Sequence, residues 1–160
     1  MPVIDELLAA NRVFAAAERP ALESRPQRRL AVVTCMDTRI DVLAALGLEL
    51  GQAVVIRNAG ARVTEDVLRS LALATHVLGV DTVVVMQHTG CGLAGATDEA
   101  LKARTGADLD FLAIDDHAAA LRHDVDVLHD TSFLGLVTTI AGFLYDVATG
   151  AVDDVVRVES

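Results

Sequence analysis

Three short apolar runs constrain the fold of this chain more than any other feature of its sequence. They cover residues 30–34, 53–56 and 82–86, and each is rich in Val or Ile without alternating polar positions. Strands of a parallel sheet that is covered by helices on both faces have this pattern. Helical patterns lie between the runs, over residues 40–48 and 64–78. The alternation predicts right-handed crossovers and an α/β fold with an open, mainly parallel sheet flanked by helices.

The second half of the chain predicts an antiparallel edge for this sheet. Residues 115–129 have the pattern of an amphipathic helix, with apolar positions on one face. Residues 136–146 and 152–158 then flank a short turn that contains Gly150. We expect these two segments to form a C-terminal hairpin on one edge of the sheet.

Length and composition indicate a single soluble domain. A chain of 160 residues, 52% of them apolar, can bury one core and is too apolar to be disordered. We find no linker, so we predict one domain over residues 1–160, with residues 1–20 as an N-terminal helical arm. The helix predicted over residues 4–17 has an apolar face and few neighbours in sequence, so we expect it to contact a second subunit.

Charge and aromatic content limit the classes of partner. The formal net charge of -10 argues against nucleic acid, since a nucleic-acid site needs a basic face. Aromatic residues make up 3% of the chain, which disfavours a stacking platform and favours a small ligand. The longest apolar stretches are far shorter than the roughly 20 residues that cross a bilayer. The N-terminal segment lacks the basic start of a secretion signal, and we expect a cytoplasmic protein.

The reactive side chains follow two of the predicted strands. Cys35 comes directly after the first apolar run, and His88 and Cys91 come after the third. Ligands of open α/β sheets bind at the carboxyl ends of the strands, so we expect both cysteines to face one site. Two thiolates and one imidazole are a ligand set that Zn²⁺ accepts, with one position left for water. If a helix began near Cys91, its dipole would also favour the thiolate.

Other interpretations of these residues stay open at this point. Cys35 and Cys91 could be inert buried thiols or could form a disulfide, although a reducing compartment disfavours the bond. Asp37 could cap the helix that follows it, and Arg39 could be a surface charge. His88 could be a core histidine bonded to a backbone carbonyl.

Two motifs together resemble those of the β-class carbonic anhydrases. They are Cys-x-Asp-x-Arg at residues 35–39 and His-x-x-Cys at residues 88–91, and a predicted strand that ends in Arg-Asn-Ala-Gly at residues 57–60 separates them. The likeness covers residues 30–92 closely, and the hairpin that includes residues 143–152 is also similar. In length the chain resembles the short, prokaryotic-type members.

The resemblance implies a zinc enzyme that converts carbon dioxide reversibly to bicarbonate and a proton. It implies that Cys35, His88 and Cys91 bind one Zn²⁺ per chain, and that Asp37 is paired with Arg39. We hypothesise that Asp37 accepts a hydrogen bond from a zinc-bound hydroxide, while Arg39 keeps Asp37 ionised. Because Asp37 is two residues from Cys35, it is also a candidate fourth metal ligand in a closed state.

The resemblance also implies a substrate pocket and a partner. Carbon dioxide needs only a small apolar pocket, for which we expect Ala59, Gly60 and Val63. Members of the family form dimers or higher assemblies, so a homodimer or a higher homo-oligomer is expected here.

Three competing functions stay open from the sequence. A hydrolase of a related linear substrate such as carbon disulfide would use the same nucleophile. A zinc-holding regulatory module would lack turnover and would not need the Asp37 and Arg39 pair. A dithiol switch would oxidise Cys35 and Cys91 to a disulfide and would bind no metal.

Overall fold

The computed structural model of the chain describes residues 2–159 and confirms the predicted sheet. Its strands are Leu30–Cys35 (β1), Ala53–Asn58 (β2), Thr82–His88 (β3), Thr139–Tyr145 (β4) and Val152–Glu159 (β5). They lie in the order β2-β1-β3-β4-β5. The first four strands pair in parallel, and β4 pairs antiparallel with β5 to form the predicted edge hairpin. Met1 and Ser160, the ends of the predicted domain, lie outside the described residues.

Five α-helices lie among residues 2–159. They are Val3–Ala16 (α1), Val42–Ala45 (α2), Glu65–His76 (α3), Asp98–Thr105 (α4) and His117–Asp130 (α5). None of these helices is both long enough and apolar enough to cross a bilayer. The predicted helix over residues 40–48 is shorter in the structure, because Asp41 caps its start and Gly47 follows it with a φ of +61°.

Helix α4 was not predicted from the sequence, and its side chains show why. Within the described chain none of its residues is buried, so it has no apolar stripe to reveal a helical period. Its ends do carry a signal. The Thr97 hydroxyl accepts a hydrogen bond from the amide of Ala100, and Gly106 ends the helix in the left-handed conformation.

The core lies on both faces of the sheet. On one face, side chains of β1 and β3 pack against Leu71 of α3 and against Leu121 and Val125 of α5. On the other face, Val32 and Met86 form a second cluster that includes both cysteines. Successive strand residues point to opposite faces, which explains why uninterrupted apolar runs supply two clusters.

The strand order positions the site. Because β1 and β3 are adjacent and parallel, Cys35 at the end of β1 and His88 at the end of β3 emerge at the same sheet edge. The amide of Met36 donates to the carbonyl of Asn58, which extends the pairing of β1 with β2 one residue into the following loop.

Candidate metal centre

Three potential metal ligands come together at this sheet edge. The Sγ atoms of Cys35 and Cys91 are 4.0 Å apart. One ligand atom from each of Cys35, His88 and Cys91 lies within 4.8 Å of the others, and all three residues are buried. Two sulfurs that are each about 2.3 Å from a tetrahedral zinc ion would be about 3.8 Å apart. The observed spacing therefore fits this ion.

The surroundings of His88 also fit a metal ligand. Its Nδ1 lies 3.0 Å from the carbonyl oxygen of Thr89, so Nδ1 carries the proton and donates it to that carbonyl. The Nε2 atom is buried and has no hydrogen-bond partner within residues 2–159. A buried nitrogen with an unused lone pair is costly in a folded protein, and a metal ion at this position would use it.

Asp37 and Arg39 form a bonded pair beside the three ligands. The Nε and Nη2 atoms of Arg39 donate to Oδ1 and Oδ2 of Asp37 at 2.9 and 2.7 Å, and Nη2 also donates to the carbonyl of Gly90 at 3.0 Å. The Oδ2 atom lies 3.8 Å from Nε2 of His88. The hydrogen bonds from Arg39 hold the pKa of the Asp37 carboxyl well below its usual range. Asp37 is therefore a carboxylate that faces the cluster.

Arg57 holds the loop that carries this pair, a role that sequence reasoning missed. Its guanidinium donates to the carbonyls of Cys35 at 2.9 Å, Asp37 at 2.6 Å and Ile40 at 3.2 Å. Three bonds from one side chain fix the path of the backbone after β1. The available signal was a cation directly after a predicted buried strand, where an uncompensated charge is unusual.

The structure around Cys91 differs from the sequence-based expectation that a helix begins near this residue. No helix begins there, because residues after Cys91 form a turn in which its carbonyl accepts from the amide of Ala94, and α4 begins only at Asp98. The predicted contribution of a helix dipole was therefore wrong. Burial raises the pKa of the Cys91 thiol, and a hydrogen bond from the amide of Leu93 acts in the opposite direction.

A cavity of about 250 Å³ opens beside the ligands. It is lined by Cys35, Met36, Asp37, Ala59, Gly60, Cys91, Gly92 and Leu93. Two of the predicted pocket residues, Ala59 and Gly60, are in this lining. The structure places the third, Val63, elsewhere: its side chain packs beside Val67 and Leu71 in the main core, because the chain turns away from the cavity toward α3.

One further histidine lies close to the end of β3. The Nδ1 atom of His117, the first residue of α5, is 2.9 Å from Oε1 of the buried Gln87. Burial lowers the pKa of His117, and the nearby His88 lowers it further. Both effects favour the neutral form of His117.

Comparisons with known proteins agree with this geometry. A family model described as carbonic anhydrase matches residues 30–131. Beta-carbonic anhydrase 1 of Mycobacterium tuberculosis is 36% identical over 161 residues, which cover 97% of this chain and 99% of that protein. The crystal structure of carbonic anhydrase from Streptococcus mutans is 38% identical, covers 98% of this chain and 99% of that chain, and has a TM-score of 0.87. Carbon disulfide hydrolase of Acidithiobacillus thiooxidans is 33% identical over 149 residues, which cover 77% of this chain and 75% of that protein.

Proposed function

We propose, since this chain belongs to the β-carbonic anhydrase family, that it hydrates carbon dioxide reversibly to bicarbonate and a proton with one zinc ion per chain. The observation that carries the proposal is the buried cluster of two sulfurs and one unpartnered imidazole nitrogen, with an ionised carboxylate beside it. Cys35, His88 and Cys91 would hold the metal. A zinc ion held by these residues would supply Lewis acidity for the activation of a water molecule.

Asp37 and Arg39 have separate tasks in this reaction. Oδ1 of Asp37 accepts two hydrogen bonds from Arg39, whereas Oδ2 accepts one and faces His88. Oδ2 therefore has a lone pair free to accept a hydrogen bond from the attacking water, which orients the water oxygen toward the substrate. Arg39 keeps Asp37 ionised and fixes its rotation, and its bond to Gly90 ties the pair to the loop that carries Cys91.

The cavity suits a small neutral substrate. Its apolar lining includes Ala59, Gly60 and Leu93, and Asp37 contributes to the same lining. Carbon dioxide carries no net charge and needs no hydrogen bond to enter such a pocket.

Ligation of the metal by Asp37 belongs to a second state in our proposal. In the geometry described here both carboxylate oxygens are bonded to Arg39, so ligation by Asp37 would use the lone pair of Oδ2 that is otherwise left for water. Crystals grown at acid and at alkaline pH would test this. Water at the metal under both conditions would exclude a closed state formed through Asp37.

We further propose a homodimer or a higher homo-oligomer in the cytoplasm. Within residues 2–159, α1 has no buried side chain, and its apolar residues Ile4, Leu7 and Phe14 are exposed. A second copy that covered this face would remove it from water. Light scattering on the full chain and on a variant with Leu7→Glu and Phe14→Glu would test the role of α1, with a smaller mass expected for the variant.

Zinc content and carbon dioxide hydration test the central proposal. We expect about one zinc per purified chain and a stopped-flow hydration rate that Asp37→Asn lowers without loss of zinc. Full activity in Asp37→Asn would contradict the role of the carboxylate.

A second function has support from the 33% identity to a carbon disulfide hydrolase. Release of hydrogen sulfide from carbon disulfide by a zinc-loaded chain that does not hydrate carbon dioxide would favour that activity. Bound zinc with neither activity would favour a regulatory module, and a chain without metal that forms a disulfide under mild oxidation would favour a thiol switch.

A further inference from the structure

A buried ion pair lies behind the cavity, and the proposed chemistry does not use it. Nε of Arg62 donates to Oδ2 of Asp124 at 2.7 Å, and Nη2 donates to Oδ1 at 3.3 Å. The side chains are 6% and 1% exposed. Arg62 directly follows the 3-10 turn Ala59–Ala61, and Asp124 lies in the middle of α5. Within the described chain neither residue is part of the cavity lining.

The backbone of Arg62 closes the turn that forms one cavity wall. The side chain of Asn58 donates to the Arg62 carbonyl at 2.7 Å and accepts from the Arg62 amide at 3.1 Å. Between these residues Gly60 and Ala61 have φ values of +73° and +57°. For Ala61 this conformation is unfavourable, so surrounding bonds must hold it in place. Arg62, anchored on α5, is the fixed end of this turn.

The guanidinium of Arg62 also reaches a second segment. Its Nη1 donates to the carbonyl of Leu112, a residue with a φ of +53°. The carboxylate of Asp98 accepts from the amides on either side, those of Phe111 at 2.7 Å and Ala113 at 2.9 Å. Leu112 is therefore held by an arginine at its carbonyl and by an aspartate through its neighbours.

This second segment supports the Leu93 part of the cavity wall. The amide of Ile114 donates to the carbonyl of Leu93 at 3.1 Å, and Ala94 and Ile114 form a β-bridge. The side chains of Leu93 and Ile114 lie against the α-carbon of Gly60 so closely that a Cβ there would be 2.8 Å from Cδ2 of Leu93. Arg62 thus connects to both walls, through its own backbone and through Leu112.

We propose that Arg62 and Asp124 are positioning residues for the substrate pocket: they hold the Gly60 wall and the Leu93 wall against each other without touching the substrate. The inference rests on the proposed carbon dioxide hydration, for which the pocket holds the substrate. Asp37, Arg39 and the three metal ligands are held by other bonds. Loss of the ion pair should therefore weaken productive binding of carbon dioxide, which raises KM, and leave zinc binding and kcat nearly unchanged.

A purely structural role is the alternative, and one variant separates the two. Removal of one partner of a buried pair leaves an uncompensated charge, whereas apolar residues of similar volume can replace the whole pair with little loss of stability. In a variant with Arg62→Met and Asp124→Leu, we expect a thermal midpoint near that of the parent protein and one zinc per chain. We also expect KM for carbon dioxide to rise roughly 3- to 10-fold, less than the roughly 100-fold loss that a 1 Å misplacement of reacting groups can cause.

Two further variants complete the experiment. Asp124→Asn should lower the thermal midpoint and raise KM. Leu128→Ala, a core truncation on the same helix, should lower the midpoint but leave KM unchanged, because Leu128 packs in the main core away from the cavity. If the double variant fails to fold, Arg62→Lys serves in its place, since lysine cannot bond Asp124 and the Leu112 carbonyl in the same fork geometry.

Hydrogen exchange gives a readout that does not depend on activity. We expect faster exchange of the amides of residues 59–62 and 112–114 in the double variant and in Arg62→Lys, and parent-like exchange of these amides in Leu128→Ala. A parent-like KM together with parent-like exchange in the double variant, or in Arg62→Lys if the double variant does not fold, would overturn the inference. A parent protein that lacks carbon dioxide hydration would instead refute the proposed function, and the exchange data would still show whether the pair fixes the two walls.

Discussion

Replacement of Gly60 by alanine should damage the pocket more than it damages the fold. Gly60 lines the cavity with a φ of +73°, and an added Cβ would lie 2.8 Å from Cδ2 of Leu93 and 3.3 Å from Cδ1 of Ile114. A left-handed conformation costs an alanine roughly 1–2 kcal/mol relative to glycine. Overpacking adds about 1–3 kcal/mol, and the lower half applies here because the end of the Leu93 side chain can rotate.

The direction of that rotation links stability to function. Leu93 itself lines the cavity, so a rotation that relieves the contact with the added methyl group moves its side chain toward the space for carbon dioxide. We expect Gly60→Ala to lower the free energy of unfolding by about 2–4 kcal/mol. We also expect kcat/KM for carbon dioxide to fall, with zinc content unchanged.

Gly79→Ala is the matched control. Gly79 has a φ of +74°, and among the described residues no heavy atom lies within 4 Å of the position of its added Cβ. It therefore has the same backbone strain without the contact. Urea unfolding of both variants should give a difference of about 1–2 kcal/mol, which is the cost of the contact alone. Leu93→Val, which removes the Cδ2 atom, should recover part of this difference and part of kcat/KM in the Gly60→Ala background.

Equal stability and equal activity of Gly60→Ala and Gly79→Ala would contradict this prediction. That result would mean that the Gly60 wall has room for a methyl group. Equal stability of the two variants with reduced activity in Gly60→Ala alone would mean that the side chain of Leu93 rotates without a cost in free energy. The predicted loss of kcat/KM would then hold, and the predicted loss of stability would be wrong.

Three other measurements test separate parts of the structure. Chelation should lower the thermal midpoint of the zinc-loaded protein but not that of Cys91→Ser, which should bind little zinc; an equal response of both would contradict the ligand set. Burial lowers the pKa of His117 below its ordinary 6.5, so the unfolded state binds more protons than the folded state just below this pH. In urea titrations the parent protein should therefore lose unfolding free energy as the pH falls below 6.5, and His117→Gln should lose less. Identical pH profiles of the two proteins would contradict this. Hydrogen bonds from the amides of Ala113 and Phe111 lower the pKa of Asp98 below 3.8, so the carboxylate should stabilise the fold fully above pH 3.8 and lose this effect as the pH falls through its lowered pKa. The thermal midpoint of Asp98→Asn should therefore depend less on pH between pH 5 and pH 3 than that of the parent protein. An unchanged slope would be evidence against these hydrogen bonds.

Strands β1 and β3 could be predicted from the sequence because burial on both faces leaves a continuous apolar run. β1 and β3 contain their predicted runs and extend one or two residues beyond them, to Cys35 and His88. Cys35 and Cys91 follow the carboxyl ends of two parallel strands, so the sequence also predicted that the two residues face one site. Helix α4 left no such mark, since within residues 2–159 none of its side chains is buried.

The cavity walls were harder to predict than the ligands, because long-range side-chain bonds determine them. Val63 was expected in the pocket with Ala59 and Gly60, but its side chain packs in the main core. Leu93 became a wall residue through its contact with Ile114, which lies well beyond it along the chain, after α4. The sequence has no periodic signal for contacts of this kind.

This contrast between ligands and walls has a mechanical consequence. Cys35 and His88 end two adjacent strands of the central sheet, so their positions depend on backbone ladders that many residues share. The walls depend on the bonds of a few side chains, namely Asn58, Arg62 and Asp98. Substitutions at the walls should therefore change which substrates enter and how well they bind, while the metal stays bound. A wall variant that lost zinc before it lost binding of carbon dioxide would show that the two parts of the site are not mechanically independent.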